Sequence, residues 1–254
     1  MSSPTDLNVV TAASELAEEL ARAGANAVCL VGSHATGAAT PTSDVDIAVV
    51  GLGPHCRLEL REQLLFSIGW APEEVQRQRL YEPDWLATHV VGWRHAVVLH
   101  DPDGIAESIR NEAASWNWAR VSDRCAGCVA EKVTGLAEEV HKLVSSFSSN
   151  SWLEASAQRS VLAQQLSLIL AIHRRILYGS ENAVWQLIGD ELGSDWREAQ
   201  EAAFWVGTSD LKEACAAALS LFELSAREVE SLMDERQRAV TASALTAIRA
   251  TRRN

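Results

Sequence analysis

The chain has 254 residues and is acidic, with a formal net charge of -12 at pH 7. Hydrophobic residues make up 47% and charged residues 22%, which is typical of a folded globular protein and excludes a disordered chain. No apolar run has the length of a membrane span, and the first residues lack the regions of a signal peptide, so we expect a cytoplasmic protein without a membrane partner. The net charge argues against binding to duplex nucleic acid, because such binding needs a basic surface.

The predicted elements change in type along the chain. In order, the patterns predict a helix over 6–23, strands over 27–31 and 44–50, a helix around 57–68, a strand over 73–80 and a strand within 95–104. From about residue 118 onward, apolar residues recur at helical spacing. The sequence therefore predicts an α+β protein, with a mixed-sheet domain over 1–115 followed by an all-α helical-bundle domain over 116–254.

The segment Leu30–Val50, LVGSHATGAATPTSDVDIAVV, carries an unusual set of residues. Gly32 and Ser33 close a predicted strand, where glycine allows a sharp turn and free N–H groups favour phosphate. Asp44 and Asp46 are two apart on the next predicted strand, so their carboxylates share one face. Because Mg²⁺ prefers oxygen ligands and shares its coordination with phosphates, we predict a site for a nucleoside triphosphate and its magnesium.

The pattern Gly-Ser, ten residues, Asp-x-Asp resembles the signature of the nucleotidyltransferase superfamily, whose fold is that of DNA polymerase beta. Three later segments resemble the kanamycin nucleotidyltransferases, the aminoglycoside 4'-nucleotidyltransferases, in the same order and with similar spacing. These segments are DWLATHVVGWRHAVVLHDPDG (84–104), VTGLAEEVHKL (133–143) and LSLILAIHRRILY (166–178). The resemblance implies Mg²⁺, ATP or another nucleoside triphosphate as co-substrate, a homodimer, and a hydroxylated small-molecule acceptor such as an aminoglycoside.

The resemblance also implies roles for residues outside the Gly-Ser and Asp-x-Asp pattern. Glu138 matches the base that activates the acceptor hydroxyl, and Lys142 matches a lysine that contacts the nucleotide or substrate. From spacing alone, these two residues form an exposed i,i+4 salt bridge. The superfamily has a third carboxylate on the next strand. There the chain has Gln76, and Glu74 shares its predicted strand face, so Glu74 is the candidate third metal ligand.

Two alternative functions remain open at the level of sequence. One is an antitoxin-type nucleotidyltransferase that adenylylates a partner protein, although the helical C-terminal half is unlike that minimal type. The other is a degenerate ligand-binding protein without catalysis, which the missing third carboxylate favours. His34, between the Gly-Ser pair and the aspartates, is expected to be exposed rather than in contact with a phosphate.

Overall fold

The computed structural model describes residues 4–253, and the chain divides into two compact units. The first unit comprises Met1–Val121 and Leu177–Glu181, and the second comprises Ser122–Ile176 and Asn182–Asn254. Residues 116–121 and 177–181, which the sequence assigned to the second domain, thus group with the first unit. Within residues 4–253, no helix combines the length and the apolar character that a membrane span needs.

A mixed sheet forms the centre of the first unit. Its described strands are β1 (Ala27–Val31), β2 (Val45–Val50), β3 (Cys56–Arg61), β4 (Leu64–Ala71) and β5 (Val97–His100). They lie in the order β3-β4-β2-β1-β5. The pair β2 and β4 is parallel, and the other three neighbouring pairs are antiparallel. This mixed sheet, followed by a helical region, confirms the predicted α+β class.

Helices of the first unit connect and cover the strands. They are α1 (Pro4–Arg22), α2 (Gly32–Thr36), α3 (Glu73–Arg79), α4 (Leu86–Arg94) and α5 (Ile105–Ala114). Helix α1 buries Ala13 and Leu16 in one core with Val28, Ile47 and Ile68 of the sheet. Since strand residues alternate between faces, Asp46 lies on the sheet face opposite this core.

The predicted helix around 57–68 is wrong, because these residues form the hairpin of β3 and β4. Glu62 and Gln63 make its two-residue turn, with φ values of 46° and 71°. Such a turn, with φ positive at both positions, suits the right-handed twist of a hairpin. Glu-Gln is not among the residue pairs that commonly adopt this turn, so the sequence lacks the usual hairpin signal.

The predicted strand over 73–80 is also wrong, because Glu73–Arg79 is helix α3. Pro72 precedes the helix, and acidic side chains occupy its first turn while basic side chains occupy its last, as the helix dipole favours. Arg77 closes an i,i+4 ion pair with Glu73 at 2.8 Å. Gln76 is buried, and its Nε2 donates to the carbonyl of Val49 at 3.4 Å.

The regular structure described in the second unit is helical. Its α-helices are α6 (Ser122–Gly135), α7 (Ala137–Ser148), α8 (Trp152–His173), α9 (Glu181–Leu192), α10 (Ser194–Ala203), α11 (Leu211–Glu228) and α12 (Glu235–Thr251). Helix α8 supplies Leu162, Leu166 and Leu170 to a core that includes Val140 and Phe222. This agrees with the helical periodicity read from the sequence beyond residue 118.

Candidate active site

Gly32 brings the end of β1 into close contact with Asp46. It has φ of 69°, a left-handed conformation that glycine adopts at little cost. A Cβ atom built on Gly32 would lie 2.1 Å from Oδ2 of Asp46, far inside van der Waals contact. The absence of a side chain at Gly32 therefore allows the Asp46 carboxylate to pack against the start of α2.

Ser33 is the second residue of α2, a single turn that ends at Gly37 with φ of 73°. The Ser33 side chain is half-buried, and its carbonyl accepts a hydrogen bond from the Thr36 hydroxyl at 3.1 Å. The structure thus places Gly32 and Ser33 directly after a central strand, as the sequence predicted.

Asp44 and Asp46 form a pair of neighbouring carboxylates. Asp44 immediately precedes β2, and Asp46 is the second residue of that strand, opposite Val31 of β1. Burial, together with the charge of Asp44, raises the pKa of Asp46 to about 6. Both causes disfavour the charged form of Asp46, and a cation beside the two carboxylates would offset this cost.

Ser67, rather than Glu74 or Gln76, lies beside this pair. The parallel register of β2 and β4 sets Asp46 opposite Ser67, and Ser67 is half-buried on the same sheet face. The prediction of Glu74 as a metal ligand on a strand is wrong, because Glu74 is an exposed residue of helix α3. Gln76 also lies on that helix, where its amide bonds to Val49. Ser67 was missed because β4 was predicted as helix.

An apolar strip continues the same sheet face away from Asp46. Leu58 pairs with Ser67 across β3 and β4, and Leu60 pairs with Leu65. Leu58, Leu60 and Leu65 are 64%, 72% and 43% exposed, respectively. We name these three residues the leucine strip. Its position makes the surface beside the carboxylates apolar rather than acidic.

His34 was predicted to be exposed, but the structure places it partly in the interior. It is half-buried in α2, and its Nε2 atom is buried with no hydrogen-bond partner in the described part of the chain. A buried ring nitrogen without a partner is costly. The two residues after Gly32 are therefore both partly shielded from solvent.

Glu138 and Lys142 lie in the second unit, one turn apart on α7. Lys142 Nζ contacts carboxylate oxygens of Glu138 and Glu139, each at 2.9 Å. The hydrogen bond from Lys142 lowers the pKa of Glu138, whose side chain is 73% exposed. This is the i,i+4 ion pair expected from spacing, and the roles of base and nucleotide contact stay predictions.

The chemistry of the carboxylate pair suits a magnesium ion. No group of three or more His, Cys, Asp and Glu side chains that could hold a metal occurs among residues 4–253. Two carboxylates nevertheless suit Mg²⁺, which keeps several waters and takes substrate phosphates as further ligands. The close packing of Asp46 on Gly32 also leaves no room there for a larger residue than glycine.

Comparison with known proteins identifies the part of the chain that carries this geometry. Residues 13–102 match the family model described as the nucleotidyltransferase domain. Over these residues the chain is similar to nucleotidyltransferase domains. The match spans β1 to β5 and contains Gly32, Ser33, Asp44, Asp46 and Ser67. It confirms the predicted nucleotidyltransferase and its superfamily.

A solved structure shows the same fold over a longer stretch. The chain is similar to a nucleotidyltransferase-like protein from Exiguobacterium sibiricum, with 12% sequence identity and a TM-score of 0.51. The alignment covers 89% of this chain and 75% of that one. None of the curated protein sequences is a significant match. The likeness to the Exiguobacterium protein concerns the fold alone.

Proposed function

We propose that the protein transfers a nucleoside monophosphate from a nucleoside triphosphate, with ATP as the first candidate, to a hydroxyl of a small molecule. The observation that carries this proposal is the contact of Gly32 with Asp46 inside a nucleotidyltransferase domain. It brings Gly32 next to Asp46, although ten residues separate the Gly-Ser pair from the Asp-x-Asp motif, and so supports one site for both.

The proposed reaction is an in-line displacement at the α-phosphorus. The acceptor oxygen forms a bond to this phosphorus, the bond to the bridging oxygen of the β-phosphate breaks, and pyrophosphate leaves. Gly32 and Ser33 contact the phosphates, and Asp44 and Asp46 hold the metal. When bound, Mg²⁺ neutralises negative charge on the phosphates. The acceptor proton passes to a carboxylate base, for which Glu138 is the candidate.

The proposed acceptor class is an aminoglycoside or a related hydroxylated antibiotic, with resistance or biosynthesis as the biological role. The support is the resemblance of segments 84–104, 133–143 and 166–178 to aminoglycoside nucleotidyltransferases. The net charge of -12 also suits a cationic acceptor. The exposed ion pair of Glu138 and Lys142 is compatible with a base that acts once the acceptor has displaced the lysine.

The experiment is a labelling assay with α-³²P nucleoside triphosphates and a panel of hydroxylated acceptors. We expect labelled acceptor and stoichiometric pyrophosphate release with at least one pair, in the presence of Mg²⁺. Triphosphate binding without label transfer to any acceptor class would instead identify a ligand-binding protein and overturn the proposal.

A second candidate function is nucleotidyl transfer to a protein. The leucine strip favours it, because exposed leucines beside a site are typical of a surface that contacts another protein. Substituting Leu58 and Leu60 by serine distinguishes the two candidates. A protein acceptor predicts loss of labelling of that protein, whereas a small polar acceptor predicts unchanged transfer.

A further inference from the structure

Ser67 occupies the strand position closest to the carboxylate pair on β4. In the parallel register it lies directly opposite Asp46, and neighbouring strands are about 4.8 Å apart. The adjacent residues Phe66 and Ile68 are fully buried in the core under α1, so Ser67 faces the side of the sheet that carries Asp46. Ser67 is half-buried, and its side chain carries no charge.

A serine at this position fixes the charge of the site at two carboxylates. The number of charged oxygen ligands is one of the features that set the affinity of a protein site for hard cations. With Asp44 and Asp46 as its only charged protein ligands, a bound Mg²⁺ would need water and phosphate oxygens as its other ligands. A carboxylate opposite Asp46 would add a further ligand within reach, at the cost of more repulsion in the metal-free protein.

We infer that Ser67 makes metal binding depend on the nucleotide, because it supplies a neutral hydroxyl where a third carboxylate would bind the ion directly. The inference rests on the proposed function and deepens it by naming what loads the metal. Without nucleotide, Asp44 and Asp46 would hold a divalent cation weakly, and they would hold it more tightly as a metal–triphosphate complex. The Ser67 hydroxyl would supply a neutral hydrogen-bonding group beside that complex.

The test measures Mn²⁺ binding to the full chain by electron paramagnetic resonance at pH 8, without nucleotide. In Ser67→Asp, we expect the affinity for Mn²⁺ to rise about tenfold or more, since a charged ligand is added beside the pair. A nonhydrolysable triphosphate should raise the Mn²⁺ affinity of this variant by a smaller factor than it raises that of the parent. Unchanged Mn²⁺ affinity in folded Ser67→Asp would overturn the inference.

Two matched variants test whether a gain in Mn²⁺ affinity in Ser67→Asp comes from a new metal ligand, from the added volume or from the added charge. Ser67→Asn adds almost the same volume without charge, and we expect its affinity to stay within about threefold of the parent. Leu58→Asp places the same charge on the same face one strand further away, opposite Ser67. We expect Leu58→Asp to raise the Mn²⁺ affinity less than Ser67→Asp does. An equal gain in Leu58→Asp would show a general charge effect and contradict the inference.

Asp46→Asn distinguishes failure of the inference from failure of the proposed function. If Asp46→Asn abolishes Mn²⁺ binding while Ser67→Asp leaves it unchanged, the carboxylate pair holds the metal and Ser67 is uninvolved. If Asp46→Asn leaves the binding of both Mn²⁺ and the metal–triphosphate complex intact, the metal site itself is misplaced and the proposed function fails with it. Circular dichroism spectra establish that each variant is folded.

Discussion

At the scale of single residues, Gly32 brings the backbone of the Gly-Ser pair against Asp46, the proposed metal ligand. Gly32→Ala adds a Cβ atom where Oδ2 of Asp46 lies, at a φ that disfavours any side chain. We expect a loss of roughly 1–3 kcal/mol in the free energy of unfolding, together with loss of Mn²⁺ binding, because the carboxylate must move.

Gly37 offers a matched control for this prediction. Its φ is 73°, but a Cβ atom there would meet nothing within 4 Å. Gly37→Ala therefore shares the backbone strain without the clash, and we expect it to lose about 1 kcal/mol while keeping its affinity for Mn²⁺. Equal loss of Mn²⁺ binding in both variants would show that strain in α2, rather than contact with Asp46, matters.

Asp46 itself is predicted to lower the stability of the metal-free protein. Its pKa is raised to about 6 in the folded state, so its charged form is disfavoured there, and this cost is present above pH 6. We expect Asp46→Asn to melt roughly 2–4 °C higher than the parent at pH 7.5, the shift that about 1 kcal/mol produces in a chain of this size.

The difference in melting temperature between the parent and Asp46→Asn should depend on pH. As the pH falls through 6 toward 4, Asp46 becomes protonated in the folded state and the cost disappears. The difference in melting temperature between the parent and Asp46→Asn should therefore shrink toward zero near pH 4. A difference that grows on acidification would mean that the Asp46 carboxylate stabilises the fold.

At the scale of elements, two wrong predictions between residues 57 and 80, a helix for a hairpin and a strand for a helix, limited which site residues could be found from the sequence. Gly32, Ser33, Asp44 and Asp46 were predictable, because an apolar run, a loop of small residues and Asp-x-Asp all lie within one local pattern. Ser67 was not, since its role follows from the pairing of β2 with β4 and not from its neighbours in sequence. Because the Glu-Gln turn between β3 and β4 lacks the usual hairpin signal, β4, the partner of β2, was predicted as helix.

Because Gln76 lies in helix α3 and not on a strand, the expected effect of Gln76→Glu is reversed. On a strand, Gln76→Glu would restore a metal ligand. In α3, the side chain is 3% exposed and donates to the Val49 carbonyl, so a carboxylate would be buried facing an acceptor. We expect Gln76→Glu to lower the free energy of unfolding by about 2–4 kcal/mol, without a gain in Mg²⁺ affinity.

Urea denaturation checks this prediction, with Glu74→Gln as the control on the same helix. Glu74 is exposed, so its substitution should change stability by less than about 0.5 kcal/mol and leave metal binding unaltered. Tighter Mg²⁺ binding in Gln76→Glu would contradict the placement of this residue in a helix packed on β2.

At the scale of the whole molecule, we propose a homodimer in which Glu138 of one chain serves the site built by its partner. Neither Asp46→Asn nor Glu138→Gln should then be active alone. An equimolar mixture that exchanges subunits should regain about a quarter of the parent's activity, because half of the dimers are hybrids and each hybrid has one intact site.

Two results would contradict this arrangement. Light scattering that shows a monomer at assay concentrations excludes a shared site. A stable dimer whose exchanged mixture regains no activity would mean either that Glu138 and Asp46 of the same chain act together or that Glu138 takes no part in the reaction. The helical nature of the second unit was predictable from periodicity, whereas assembly follows from surfaces that the sequence pattern does not encode.

The most direct test of the central claim is transfer of α-³²P label by the parent and by Asp46→Asn, with pyrophosphate release measured in the same reaction. We expect Mg²⁺-dependent transfer by the parent and a loss on the order of a hundredfold or more in Asp46→Asn, because removing one of two carboxylates would disable the metal site. Circular dichroism and melting should show that the variant remains folded. Transfer by Asp46→Asn at the parent's rate would contradict the claim that Gly32, Ser33, Asp44 and Asp46 form the active site.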